Sequence, residues 1–369
     1  MWGDQLNEDV YAVQSRTWLE SMKSYQFREY GKHLEFIEHP EPSPEGTEVL
    51  VRVLACGACH SDVHLWEGEY DLGNERKLDA RSGRDLPFTL GHEISAEVVR
   101  VGPEVQDTLI GERFVVFPWI GCGACNICDR EAEHLCLRPR ALGTFVDGGY
   151  SDHVLVPHPK YLFDFGNLNP ELACTYACSG LTAFSAVKKA IGHHGSHIVI
   201  IGAGGVGLSA LMILKATTDY EVIVVDIREE ARDAAEQAGA NHTLDANDKN
   251  AHRLIKKISG GGACAVVDCV GSEASANLGM RSLAKSGALI IVGLFGGALQ
   301  VSLPLLPLKD VTIRGSDLGS LSEMGELMEL AKAGRIDPIP IETRSLDQAQ
   351  QTLYDLAEGN LVGRVVLEP

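Results

Sequence analysis

The sequence predicts an α/β chain in two parts: a mostly-β part first, then a doubly wound parallel sheet of six strands. Three observations carry this expectation. Between residues 22 and 156, short strand-like runs alternate with turn residues. Across residues 197–228, a short apolar run, a glycine cluster, a helical pattern and a second apolar run follow one another. From residue 229 to residue 333, helix and strand patterns mostly alternate, the order of a parallel sheet covered on both faces.

Bulk properties narrow the possibilities. At 369 residues the chain is long for one core and suits two domains sharing a cleft. With 45% hydrophobic and 22% charged residues, its composition is globular. No apolar run approaches the ~20 residues needed to span a bilayer, and no basic stretch followed by an apolar one opens the chain. A soluble, cytoplasmic protein is expected. The formal charge of -19, from 51 acidic against 32 basic residues, argues against nucleic acid or an anionic membrane as partner, since both need basic surface. Ten cysteines without a secretion signal point to reduced thiols or metal ligands rather than disulfides.

Taken in order, residues 1–21 are an extension with an amphipathic stretch at 10–19, suited to packing on the surface or on a neighbouring subunit. Strand patterns follow at 34–38 and 48–54, separated by a turn-rich segment at 40–46. The second strand runs into Cys56, Gly57, Ala58, Cys59, His60, Ser61, Asp62, Val63 and His64, and a second polar cluster, Gly91-His92-Glu93, opens a strand at 94–101. Cysteine, histidine and acids at strand ends are what a metal site uses, against two unrelated turns as the plain reading. The polar stretch 71–86 between them reads as a loop. Cys122-x-x-Cys125-x-x-Cys128 and Cys136 can fold a loop around one tetrahedral zinc, and a closed four-sulfur shell leaves no position for a substrate. An iron–sulfur cluster uses the same ligand type and is the rival reading.

A strand at 151–156, the segment 172–179 with Cys174 and Cys178, and a helix at 181–189 lead to the glycine cluster. There Gly202 makes the turn, Gly204 lets the backbone approach a pyrophosphate, and Gly207 permits close helix–strand packing, with Gly205 and Val206 opening the helix. The N–H groups at the start of that helix favour phosphate. Asp226, ending the second strand, accepts both adenosine ribose hydroxyls and repels a 2′-phosphate, which favours NAD over NADP. Arg228 is the one neighbour able to soften that preference. Helices at 229–238, 248–258, 273–285 and 322–333 and strands at 241–244, 265–270, 289–292 and 311–315 complete the alternation. The tail 338–369 returns to strand and short-helix character and is expected to rejoin the first part.

These motifs, in this order, resemble one family: the zinc-dependent medium-chain dehydrogenase/reductases, the zinc alcohol dehydrogenases. The resemblance covers residues 22–369 and rests on Gly57-Ala58-Cys59-His60-Ser61-Asp62-x-His64, Gly91-His92-Glu93, the four-cysteine lobe, Cys178-Ser179-Gly180-Leu181-Thr182, the glycine turn with Asp226, and Gly363-Arg364. It implies a GroES-like catalytic domain at 22–179, with the lobe at 119–137 and completion by 335–369, around an NAD-binding Rossmann domain at 180–334. It also implies two zinc ions per chain. Cys59, His92 and Cys178 match the catalytic zinc ligands, and Cys122, Cys125, Cys128 and Cys136 the structural set. Ser61 matches the hydroxyl that takes the substrate proton, His64 the relay to solvent, and Asp62 the carboxylate that orients His92. Glu93 matches a group behind the metal, able to act as an alternative ligand. His60 and Arg364 match pyrophosphate contacts, Thr182 and Val206 press on the nicotinamide, and Val292 with Leu294 offers backbone groups to its carboxamide. By position, Trp66, Tyr70 and Trp119 line the substrate pocket.

Aromatic walls suit an apolar or aromatic alcohol. A polyol, threonine or glutathione-adduct dehydrogenase is the neighbouring reading, and a non-catalytic binding protein on the same fold the remote one. The stretch 71–86 is an insertion relative to the simplest relatives and is expected to border the substrate mouth. The short connection from Cys136 to Gly143 resembles the tetrameric branch, so a homo-oligomer, a tetramer rather than a dimer, is expected. Cys56, Cys174, Cys264 and Cys269 read as buried thiols, His193 and His194 as solvated, and His134 as surplus to a filled tetrahedron.

Overall fold

The computed structural model describes residues 21–369, so the amphipathic stretch expected at 10–19 lies outside the described residues. The first body is built on strands. β1 (Ser21–Phe27) pairs with β2 (Glu35–Pro40), and the long β3 (Val49–Ala58), buried along most of its length, feeds α1 (His60–Glu67). Helix α1 starts where it does because the Asp62 carboxylate accepts the backbone N–H of Cys59 at 2.9 Å, and it stops at Gly68, whose φ of 82° suits a glycine.

The stretch expected as a plain loop carries a small hairpin, β4 (Glu69–Asp71) with β5 (Lys77–Asp79), before β6 (Phe88–Thr89). β7 (Glu93–Val101) and β8 (Arg113–Val116) continue the main sheet, and the cysteine lobe hangs between β8 and β9 (His153–Val156), followed by β10 (Leu162–Asp164). β7 and β9 both pair with β3, which puts β3 at the centre.

Helix α2 (Pro170–Thr175) runs through a π-helical turn (Tyr176–Gly180) into α3 (Leu181–Ala190). π-turns cluster at functional sites because the extra residue re-aims one side chain. Here the re-aimed segment holds Cys178.

The second body is the expected six-stranded parallel sheet. β11 (His197–Ile201), α4 (Gly205–Thr217), β12 (Glu221–Asp226), α5 (Glu229–Gln237), β13 (His242–Asp245), α6 (Ala251–Ile258), β14 (Ala263–Asp268), α7 (Glu273–Ser282) and β15 (Leu283–Ile291) follow in order. A short α8 (Leu305–Lys309) precedes β16 (Thr312–Gly315) and α9 (Leu321–Lys332). The strand order β13-β12-β11-β14-β15-β16 reverses between β11 and β14, which is where a doubly wound sheet binds its ligand. β15 begins earlier than the sequence pattern suggests, because α7 ends at Ser282.

The tail crosses back. β17 (Ile341–Ser345), α10 (Ala349–Glu358) and β18 (Arg364–Glu368) close the first sheet, where Val365 of β18 lies opposite Ala58 of β3. One apolar cluster runs from β3 and β7 through α2 and α3 to α4 and β11, so both bodies share a core beside the cleft. Among the described residues no helix is long and apolar enough to cross a membrane.

Candidate active site

Cys59 directly follows β3, His92 directly precedes β7 and Cys178 sits in the π-turn; their burial is nearly complete. The ligand atoms of these three and of Glu93 all lie within 4.8 Å of one another, with the two sulfurs 4.0 Å apart. His92 Nε2 has no hydrogen-bond partner although it is fully buried, while Nδ1 lies 3.1 Å from Asp62. An orphaned ring nitrogen facing two thiols, with a carboxylate behind the ring, fits a zinc-type cation. A hydrogen bond with Cys178, aided by His92 and Arg364, holds the Cys59 thiol well below its ordinary range in spite of burial.

Asp62 serves two purposes. Its Oδ2 caps α1 and accepts the Tyr150 hydroxyl at 3.2 Å, and its Oδ1 faces His92. Tyr150, fully buried, is a site residue that the sequence reading missed; its only local signal is a glycine pair before it, Gly148-Gly149. Glu93 Oε1 accepts the Ser179 N–H at 3.2 Å and an ion pair from Arg364, and its Oε2 has no hydrogen-bond partner. Gly57 makes room for it, since a Cβ there would lie 2.2 Å from Glu93 Oε2.

Ser61 and His64 share one face of α1, one turn apart. The His64 ring lies 5.0 Å from that of His60 and 4.8 Å from that of Tyr70, and its Nε2 is buried without a partner. Burial, with the His60 charge, pushes the His64 pKa below its usual value despite Cys59. Burial also pushes the Tyr70 hydroxyl up to about 12.

Trp119 packs its ring 5.1 Å from His92 and donates its indole N–H to Ala177. Trp66 is a correction to the expected pocket. Two residues beyond His64 on a helix, it points to the other side, donates to the Lys32 carbonyl at 2.6 Å and meets Tyr354 edge-on.

Gly202, at φ 92°, turns the chain, and a Cβ on Gly207 would strike the Gly202 carbonyl at 1.8 Å. A Cβ on Gly204 would meet nothing within 4 Å, so protein packing does not require that glycine and the space over it is open. The Arg364 stem fills the place of a Gly205 Cβ, and its guanidinium reaches Glu93, so one arginine spans the glycine turn and the ligand cluster. Asp226 accepts the N–H of Ala203 at 2.7 Å and that of Arg228 at 2.9 Å. The Arg228 guanidinium turns away to the carbonyls of Gly359 and Leu361. Val206 is half-buried and Thr182 Oγ1 is buried without a partner. The Val292 N–H is engaged by the Asp268 carbonyl at 2.9 Å, so of its backbone groups the carbonyl is the one left to offer, beside the exposed Leu294.

The four lobe cysteines also group within 4.8 Å, with Sγ separations of 3.5 Å for Cys125–Cys128 and 3.8 Å for Cys125–Cys136. The N–H groups of Cys128 and Ile127, with help from the Cys122 and Cys128 thiols, lower Cys125 to about 6, while burial raises Cys128. The lobe is tied down by Glu133, which accepts the Tyr161 hydroxyl and the Lys160 ammonium, each at 2.7 Å, and the Gly121 N–H at 3.2 Å.

Two family signatures match: residues 45–165 the alcohol dehydrogenase GroES-like domain, and residues 205–333 the zinc-binding dehydrogenase domain. An NAD-dependent alcohol dehydrogenase of Sulfurisphaera tokodaii is 40% identical over 94% of this chain and all of its own length. The chain belongs to the zinc-dependent medium-chain dehydrogenase/reductase family. It is a zinc-type, NAD(P)-dependent alcohol oxidoreductase. The solved alcohol dehydrogenase of Aeropyrum pernix superposes with a TM-score of 0.85 at 30% identity, over 94% of this chain and all of that one. Within the same family, a D-arabinose 1-dehydrogenase (NADP(+)) of Saccharolobus solfataricus is 31% identical over 89% of this chain and 92% of its own.

Proposed function

We propose that this medium-chain dehydrogenase/reductase interconverts an apolar or aromatic alcohol and its aldehyde or ketone with NAD(H), using zinc held by Cys59, His92 and Cys178, and that a second zinc is held by Cys122, Cys125, Cys128 and Cys136. The observation that carries the reading is the His92 imidazole, fully buried, with Asp62 3.1 Å from Nδ1 and no partner for Nε2, beside two thiols. A zinc there supplies Lewis acidity that lowers the pKa of a hydroxyl toward neutrality.

The chain supplies the rest. Asp62 holds the His92 tautomer, and Tyr150 holds Asp62. Ser61 accepts the alcohol proton at its hydroxyl while releasing its own toward the cofactor ribose, and His64, whose pKa burial pushes below its usual value, takes the proton on from there to solvent. The open space over Gly204, the N-terminus of α4 and Arg364 suit the pyrophosphate, and Asp226 the adenosine ribose. Trp119 and Tyr70 supply apolar walls near the cluster, which favours an apolar or aromatic substrate. Tyr70, whose ring packs on His64, carries a hydroxyl that supports a polyol as second reading, as does the sugar-acting relative.

The test is absorbance at 340 nm with NAD and then NADP against primary, secondary, benzylic and polyol substrates, with zinc measured on the same sample. Faster turnover of apolar or benzylic alcohols with NAD is expected. Activity confined to polyols would replace the substrate assignment, and no reduction of either cofactor by any substrate would remove the enzymatic reading.

A further inference from the structure

Helix α10 ends without a basic residue in its last turn, so its own sequence supplies no cation for the carbonyls at its negative end. Gly359, at φ 72°, turns the chain there and returns its N–H to Leu356 at 3.1 Å. The missing cation comes from the other body. Arg228 Nη1 donates to the Gly359 carbonyl at 2.5 Å and to the Leu361 carbonyl at 2.9 Å.

Both ends of this connection lead to the active site. On the cofactor side, the Arg228 N–H bonds Asp226 Oδ1 at 2.9 Å and its Nε lies 4.0 Å from the same oxygen. On the other side, the segment runs through Gly363 to Arg364, whose N–H bonds the Pro340 carbonyl at 3.0 Å and whose side chain lies between Gly205 and Glu93. Tyr354 of α10 also packs on Trp66 of α1, the helix that carries Ser61 and His64.

We infer that Arg228 is a positioning residue that clasps the 359–364 segment to the adenosine end of the cofactor site, so that Arg364 is held at the glycine turn. The inference rests on the dinucleotide reading above and changes what Arg228 does within it. An arginine after the ribose acid ordinarily suggests a receptor for a 2′-phosphate. Here one guanidinium nitrogen already donates to two carbonyls that have no other cation. A 2′-phosphate would have to break that clasp and also approach the Asp226 carboxylate. Arg228 therefore serves NAD and NADP alike, through the segment it holds, and discrimination is left to Asp226.

The test uses the full-length enzyme as wild type, Arg228→Met and Arg228→Lys, with the cofactor varied at fixed alcohol, separately for NAD and NADP. In Arg228→Met the KM for NAD rises about 5- to 20-fold, kcat falls less than about threefold, and the NAD-to-NADP ratio of kcat/KM stays within about twofold of wild type. Arg228→Lys recovers most of the KM, because an ammonium also donates to carbonyls. A purely structural loss would lower the fraction of active enzyme without moving KM. Selective loss of NADP turnover in Arg228→Met would make the residue a phosphate receptor and overturn the inference, and so would an unchanged KM for NAD. If wild type turns over no alcohol, the functional reading has failed, and titration of the three proteins with NADH by fluorescence still decides the role of Arg228: equal affinities overturn it, weaker binding in Arg228→Met restored in Arg228→Lys supports it.

Discussion

Cys59, His92 and Cys178 reach one another from the end of a strand, the start of another and a π-turn, and their surroundings are core. Cys122, Cys125, Cys128 and Cys136 come from one short stretch of turns and 3-10 segments, and three of the four are only half-buried. The first cluster takes its geometry from the two bodies that pack around it. The second has little apolar surface of its own and relies on sulfur geometry and on Glu133 at its root. On the proposed function, loss of a ligand should therefore have different consequences: in the first cluster it should remove chemistry from a fold that stands, and in the second it should remove a staple from the lobe.

The sharpest way to break this contrast is Cys59→Ala or His92→Ala. Turnover should fall about 10³-fold or more, while NADH titration by fluorescence gives a Kd within about threefold of wild type. Normal turnover in either variant would show that the cluster is not the reaction centre. Cys125→Ala should act in the opposite sense, with one equivalent of zinc lost and stability in chemical denaturation reduced by about 3 kcal/mol or more. A variant of unchanged stability would mean that the lobe does not depend on its metal.

Smaller effects sharpen the comparison. Asp226→Gly leaves both clusters untouched and should raise the KM for NAD about tenfold while moving the cofactor ratio toward NADP; an unchanged ratio would detach Asp226 from the ribose. Burial pushes the Glu133 carboxyl up, but hydrogen bonds from Lys160, Tyr161 and the Gly121 N–H outweigh it and hold its pKa below the ordinary 4.5. Its stabilisation is therefore present above that pH and lost as pH falls through the lowered folded value. Glu133→Gln should cost roughly 1–3 kcal/mol at neutral pH, with the gap to wild type closing in acid; a gap independent of pH would refute the charged anchor. Tyr150→Phe, which removes one hydrogen bond to Asp62, should lower kcat only about two- to fivefold. No change would leave Asp62 and the cap of α1 sufficient by themselves.

Much of this was legible in the chain because local features write themselves locally. The glycine cluster with Asp226 announces its turn, the four lobe cysteines their loop, and the alternation from 229 to 333 its parallel sheet. Trp66 was misplaced because two positions on a helix turn a side chain to the opposite face, and the sequence does not say which face looks into the cleft. The hairpin at 69–79 was hidden by its polar, glycine-containing composition. Glu133 gave no signal that separates it from Glu131, since its partners Tyr161 and Lys160 lie on a later turn.

The sequence by itself determined the alternation of helix and strand from 197 to 333, the glycine turn and the residue types able to hold a metal, because each depends on spacing and backbone preference over a few residues. Only the tertiary structure decided that Glu93 meets Arg364, that Tyr150 steadies Asp62, that a π-turn aims Cys178 at Cys59, and that Arg228 turns from the ribose acid to the end of α10. Those pairs are separated by long stretches of chain and are brought together by burial of the shared core, which no local pattern records.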